Sequence, residues 1–98
     1  MLSRENILKH RQQILAVARR NGASDVRVFG SVARGDSTDA SDLDLIVRFE
    51  PGRSLMDHGM LIEELQELLG IRVDVVSEGA LRGDDRFAAR VLREAVPL

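Results

Sequence analysis

The 98-residue sequence predicts a small layered α/β fold, and three observations carry that expectation. Apolar residues recur at helical spacing in three segments. Short runs rich in β-formers lie between and after them. Turn residues at Asn21-Gly22, Pro51-Gly52 and Gly70 mark the changes of period. The resulting order is helix, strand, turn, strand, helix, strand, helix, which suits helices packed on a sheet.

Taken in order, Ser3 is the expected N-cap of a first helix running to about Arg20. Its apolar residues Ile7, Leu8, Ile14, Leu15 and Ala18 share one face, and Asn21-Gly22 supplies a stop. Val26 to Phe29 reads as a short strand, Ser31 to Arg34 as a helical turn, and Gly35 to Ser41 as a loop. Leu43 to Phe49 is the clearest strand. Leu55 to Leu69 is a second helix with Leu61, Ile62, Leu65, Leu68 and Leu69 inward, ended by Gly70. Ile71 to Val76 is a third strand. After a loop at Gly83-Asp84-Asp85, Phe87 to Val96 forms a last amphipathic helix carrying Phe87, Val91, Leu92 and Ala95.

At 98 residues the expectation is one domain, residues 1 to 98, with a real but thin core. Hydrophobic content of 44% beside 31% charged residues excludes a disordered chain. A formal charge of -2 and only three aromatic residues, all Phe, disfavour nucleic-acid binding. No cysteine is present, so disulfides and thiolate metal sites are excluded. No apolar run reaches membrane-spanning or signal-peptide length, so a soluble cytoplasmic protein is expected. His10 reads as a surface or boundary residue, and His58 as lining the inner edge of the second helix. Glu63, Glu64 and Glu67 read as a solvated face.

The chemistry is expected around Asp42-Leu43-Asp44. Strand alternation puts Leu43, Leu45, Val47 and Phe49 on one face and Asp42 and Asp44 on the other, about 6–7 Å apart along the strand. In the third strand Asp74 faces away from Val73 and Val75, so adjacent strands would bring three carboxylates onto one patch. Like charges so placed repel, and a divalent cation reverses the sign of the interaction. Carboxylates with phosphate oxygens suit Mg2+, and paired ions can clamp a phosphoryl-type displacement. Gly30-Ser31, after an apolar strand, lets backbone N–H groups and a hydroxyl approach a phosphate. Arg34 is a further phosphate ligand or the partner of Asp36 or Asp39. The P-loop, hydrolase-elbow and EF-hand patterns each fail on a required residue.

Gly30-Ser31, ten intervening residues, Asp42-Leu43-Asp44 and the later Arg72-Val73-Asp74-Val75-Val76 together resemble the nucleotidyltransferase superfamily that includes DNA polymerase beta. Within it, Gly-Ser-Val-Ala-Arg-Gly and Ser-Asp-Leu-Asp-Leu-Ile-Val are similar to the minimal nucleotidyltransferases, or MNT-domain proteins, along essentially the whole chain. The resemblance implies an α+β fold, with a mixed sheet bearing the metal site on one face. It implies transfer of a nucleoside monophosphate, AMP from ATP, with release of pyrophosphate. Asp42, Asp44 and Asp74 would be metal ligands and catalytic residues, with Asp74 helping to activate the acceptor. Gly30, Ser31 and Arg34 would bind the nucleotide. Two Mg2+ ions are implied, and Mn2+ tolerates the same ligands.

A chain of this length is expected to lack an acceptor site of its own. Proteins it resembles are antitoxins that neutralise a HEPN-domain toxin, in some cases by adding AMP to a toxin tyrosine. No tyrosine occurs here, so self-modification on tyrosine is excluded. Three readings follow: an adenylyl-transferring antitoxin, a binding module that neutralises by coverage alone, and an antibiotic-modifying enzyme whose acceptor pocket a homodimer would supply.

Overall fold

The computed structural model describes residues 3–81 and 85–98; the loop expected at Gly83-Asp84 lies outside them. The elements are α1 (Arg4–Lys9), α2 (Arg11–Arg20), β1 (Ala23–Phe29), α3 (Gly30–Arg34), β2 (Leu43–Phe49), α4 (Leu55–Leu69), β3 (Val73–Ser77), α5 (Arg86–Glu94) and β4 (Val96–Pro97). A 3-10 turn over Glu78–Ala80 follows β3. The fold is α+β, as expected: a four-stranded sheet in the order β3-β2-β1-β4. β2 is antiparallel to β1 and parallel to β3, and β4 is antiparallel to β1, which makes the sheet mixed.

Local chemistry explains the boundaries. The Ser3 hydroxyl accepts from the Asn6 N–H at 3.1 Å and opens α1. Ser54 and Asp57 form a capping box at the start of α4, and Gly70 ends it in the left-handed conformation at φ +69°. Asp85 caps α5 by accepting from the Phe87 N–H. Expected and observed spans of β2 and α4 coincide. Four details differ. The first helix breaks at His10, which is the C-cap of α1 rather than a mid-helix residue. β1 starts at Ala23, ahead of a bulge that holds Asp25 at φ +53°. β3 starts at Val73 and runs on to Ser77. The last helix ends at Glu94, so that Val96–Pro97 can pair with Val28 and Arg27.

β2 is buried on both faces, and this organises the molecule. Leu43, Leu45 and Val47 join Ile14, Val28, Leu61, Leu65 and Val73 in the main core beneath α2 and α4. Ile46 points the other way and packs with Phe29 and Val91 in a smaller core that seats α5. Leu8, Phe87 and Leu92, expected inward, are exposed. Glu64 is not simply solvated: it pairs with Arg20 and accepts from the Asn21 side chain.

The outer edge of β3 is closed by α4. The Val73 N–H donates to Gln66 Oε1 at 3.1 Å, and His58 Nε2–H donates to the Val75 carbonyl at 2.7 Å. Those bonds occupy groups that would otherwise template another strand. His58, packed against the Phe49 ring, is therefore a structural residue on the opposite side of the sheet from the carboxylates.

Because Leu45 is fully buried in the central strand, Leu45→Ala is expected to cost about 2–5 kcal/mol in urea unfolding. A loss below about 1 kcal/mol would contradict the packing described.

Candidate active site

The face of the sheet opposite the main core is only partly roofed by α5, and the uncovered part is a cleft of about 450 Å³. β1 and β2 run into its floor. Phe29, the last residue of β1, pairs in register with Asp44, and Asp44 pairs with Asp74 across the parallel β2–β3 ladder. Strand neighbours are about 4.8 Å apart, so the two carboxylates leave the same face side by side. Gly30, Ser31 and Arg34 of α3 form one wall; Phe87, Arg90, Val91 and Glu94 of α5 form the other.

Asp44 is half-buried, while Asp74 is exposed. Asp42 stands one residue ahead of β2, at the rim and outside the residues that line the cleft, where its carboxylate lies 4.0 Å from the Arg72 guanidinium. Burial pushes the Asp44 carboxyl above its ordinary value, and the charges of Asp74 and then Asp42 push it further. Among the described residues, only Arg34 opposes this shift. The site is thus a negatively charged concavity whose central carboxylate is destabilised as an anion.

Gly30 makes the arrangement sterically possible. It sits at φ +74°, and a Cβ there would fall inside contact distance of Asp44 Oδ2. Any side chain at 30 would both strain the backbone and push on the carboxylate. Immediately after it, Ser31 places a hydroxyl on the cleft wall. Arg34 lines the cleft too, but its guanidinium is engaged: Nε with Asp36 at 3.3 Å, and one terminal nitrogen with both carboxylate oxygens of Glu94 at 3.2 and 3.3 Å. The Asp36 pair is one the sequence offered. The Glu94 pair, which ties α3 to α5, is not.

The donor set suits a hard cation. Two carboxylates on adjacent strands, with a third at the rim, repel one another and are relieved by positive charge. Among the described residues no three carboxylate or imidazole groups close on one another as a metal cage. An ion at Asp44 and Asp74 would share its shell with oxygens from outside the chain.

A family model of the nucleotidyltransferase domain matches residues 10–96, which spans α2 through α5 and every residue of the cleft. The chain belongs to the nucleotidyltransferase domain family. A protein adenylyltransferase of Thermococcus cleftensis is 43% identical over 77 residues, covering 79% of this chain and 76% of its own. A Methanocaldococcus jannaschii protein, provisionally named a protein adenylyltransferase, is 35% identical over 91 residues, or 93% of this chain and 96% of its own. Among solved structures, one described provisionally as a minimal nucleotidyltransferase is 50% identical, with a TM-score of 0.86, and covers 99% of this chain and 97% of its own. A chain from a toxin–antitoxin complex solved with AMP-PNP shares the fold at a TM-score of 0.74 and 20% identity, covering 88% of this chain and 69% of its own. The expected family, the mixed sheet and the enzyme class therefore stand. Among the described residues no helix is long and apolar enough to cross a membrane.

The α5 wall is what sequence reasoning missed. Phe87, Arg90, Val91 and Glu94 fall at i, i+3, i+4 and i+7, a single helical stripe, but amphipathicity alone does not distinguish a stripe facing core from one facing a nucleotidyltransferase cleft.

Two predictions follow from the site. Because the folded protein holds the Asp44 proton more tightly than the unfolded chain, this residue's stability contribution is full below the ordinary carboxylate value of 3.8. It is lost as pH rises through the raised value. Metal-free Asp44→Asn is expected to be more stable than wild type at neutral pH, the gap closing as pH falls below 4 in thermal melts; a gap independent of pH would contradict this (about 4 being the ordinary range). Gly30→Ala is expected to lose about 1–3 kcal/mol of stability together with most nucleotide transfer. Wild-type melting and turnover in that variant would show that position 30 tolerates a side chain.

Proposed function

We propose that this chain transfers AMP from ATP to a hydroxyl of a partner protein, and that the partner is a HEPN-type toxin whose modification neutralises it. The observation that carries the reading is the Asp44–Asp74 pair on adjacent parallel strands, beside a glycine that leaves room for nothing else. Support for the acceptor class comes from the relatives named as protein adenylyltransferases and from the shared fold of a toxin–antitoxin chain solved with an ATP analogue.

In this reading Asp44 and Asp74, with Asp42 at the rim, would hold Mg2+, which would neutralise the triphosphate and the pyrophosphate leaving group. The Gly30 backbone and the Ser31 hydroxyl bind phosphate oxygens and fix the α-phosphate against β2. Arg34 exchanges part of its Glu94 contact for a phosphate. Asp74, the more exposed carboxylate, takes the proton of the acceptor hydroxyl as its oxygen bonds to the α-phosphorus. The bond from the α-phosphorus to the bridging oxygen of the β-phosphate breaks, and pyrophosphate leaves. The protein's contribution is positioning and charge, with no covalent intermediate. Since these 98 residues contain no tyrosine, a tyrosine acceptor would lie outside them.

Purified protein incubated with Mg2+, ATP labelled at the α-phosphate and lysate of the source cells is expected to transfer label to a protein band. The Asp42→Asn/Asp44→Asn double variant should abolish that band, a loss of at least 100-fold (roughly the scale of removing a key electrostatic group). Retention of full transfer by the double variant would overturn the site assignment. Partner capture by wild type with no transfer in any nucleotide would favour neutralisation by binding instead.

A further inference from the structure

Among the described residues the cleft has two cations in its walls, and they are not equivalent. Arg34 is held by Asp36 and by Glu94. Arg90, on the opposite wall, has no hydrogen-bond or ion-pair partner among the described residues, although it is flanked on its own helix by Arg86 and Arg93. A guanidinium unpaired among the described residues, lining the same cleft as Asp44, Asp74 and Glu94, is an open binding valence. Guanidinium forks match phosphate oxygens two at a time.

The neighbouring residue on the stripe is Phe87. Its ring stands edge-on to Phe29, with centroids 6.5 Å apart and planes at 83°. Phe29 is itself the register partner of Asp44, so this contact anchors the Phe87 ring beside the carboxylates. Yet 44% of the residue remains exposed. Of the other two aromatics, Phe29 is buried and Phe49 packs on His58 across the sheet. Phe87 is the most exposed of the three, and it lines the cleft. The helix bearing both groups is fixed at two points, by Val91 in the smaller core and by Glu94 on Arg34. An unpaired cation and a ring seated against Phe29, one helical turn apart, form a surface that can read a ligand.

We propose that α5 is the nucleotide-reading wall of the cleft: Arg90 grips the β- and γ-phosphates that depart as pyrophosphate, and the exposed surface of Phe87 carries the nucleobase. The proposal rests on the adenylyl-transfer reading above and adds to it which residues recognise each end of the nucleotide. It assigns phosphate and base to different side chains, so the two can be separated by ligand.

The test is equilibrium binding, by calorimetry in Mg2+, of ATP, pyrophosphate and AMP to wild type, Arg90→Ala, Arg90→Lys, Phe87→Ala, Phe87→Leu and Arg93→Ala. Arg90→Ala should weaken ATP and pyrophosphate about 10-fold or more while leaving AMP unchanged, with partial recovery in Arg90→Lys. Phe87→Ala should weaken ATP and AMP by about 10-fold and spare pyrophosphate. Phe87→Leu keeps an apolar contact with Phe29 but removes the ring, and should show the same selectivity with an unchanged melting temperature. Arg93→Ala should match wild type. Equal weakening of all three ligands, or none, in the Arg90 and Phe87 variants would overturn the proposal while wild-type ATP binding and label transfer left the enzyme reading standing. Wild type that binds neither ATP nor pyrophosphate would overturn both.

Discussion

Two carboxylates forced side by side organise this protein. The parallel register of β2 and β3 leaves Asp44 and Asp74 no separation beyond one strand spacing, and burial raises the cost of keeping Asp44 ionised. A sheet selected for stability alone would place a threonine or valine at either position. Here the hydrophobic cores on both sides of β2 carry the fold while its leading end carries an unfavourable charge arrangement. That division fits a nucleotidyltransferase, in which cation and triphosphate supply the missing positive and polar partners.

The rest of the molecule can be understood as holding that arrangement open. Gly30 removes the one Cβ that would displace Asp44, and its left-handed backbone turns the chain from β1 into α3 so that Ser31 faces the same space. The smaller core of Phe29, Ile46 and Val91 seats α5 alongside the aspartates, as a wall of the cleft that leaves them uncovered. The Arg34–Glu94 pair then ties the two walls together. It is exposed to solvent, so it contributes little to stability and remains exchangeable when a phosphate competes for the guanidinium.

Some of this was legible in the sequence because the signals were local. β2 and α4 announce themselves by unbroken period and by bounding residues, Pro51-Gly52, Ser54 and Gly70, and their spans needed no revision. Alternation along β2 placed Asp44 on the face opposite Leu43 and Leu45, as observed. What failed was long-range. β4 is two residues, one of them Pro97, and exists only because β1 offers it an edge; no periodicity could reveal it. The break at His10 interrupts a helix whose apolar spacing continues across it. Phe87 and Leu92 look like core on a helical wheel, but the sheet buries Ala88 and Val91 instead. Arg34 was assigned to neighbours in sequence, and half of its ion pairing lies with Glu94 on α5. Residue types and spacing identified the chemistry, whereas the second wall of the cleft required the packing of a helix sixty residues downstream.

The central claim is that a divalent cation binds between Asp44 and Asp74 with the nucleotide's phosphates on Gly30-Ser31. The direct measurement is a two-dimensional amide NMR spectrum of the protein with a non-hydrolysable ATP analogue, titrated with Mn2+ as a paramagnetic stand-in for Mg2+. The account predicts that the amide signals of Gly30, Ser31, Asp44 and Asp74 broaden first, and that added Mg2+ restores them. Broadening that begins at the α4 carboxylates Glu63 and Glu67, or that spreads without a centre, would contradict it.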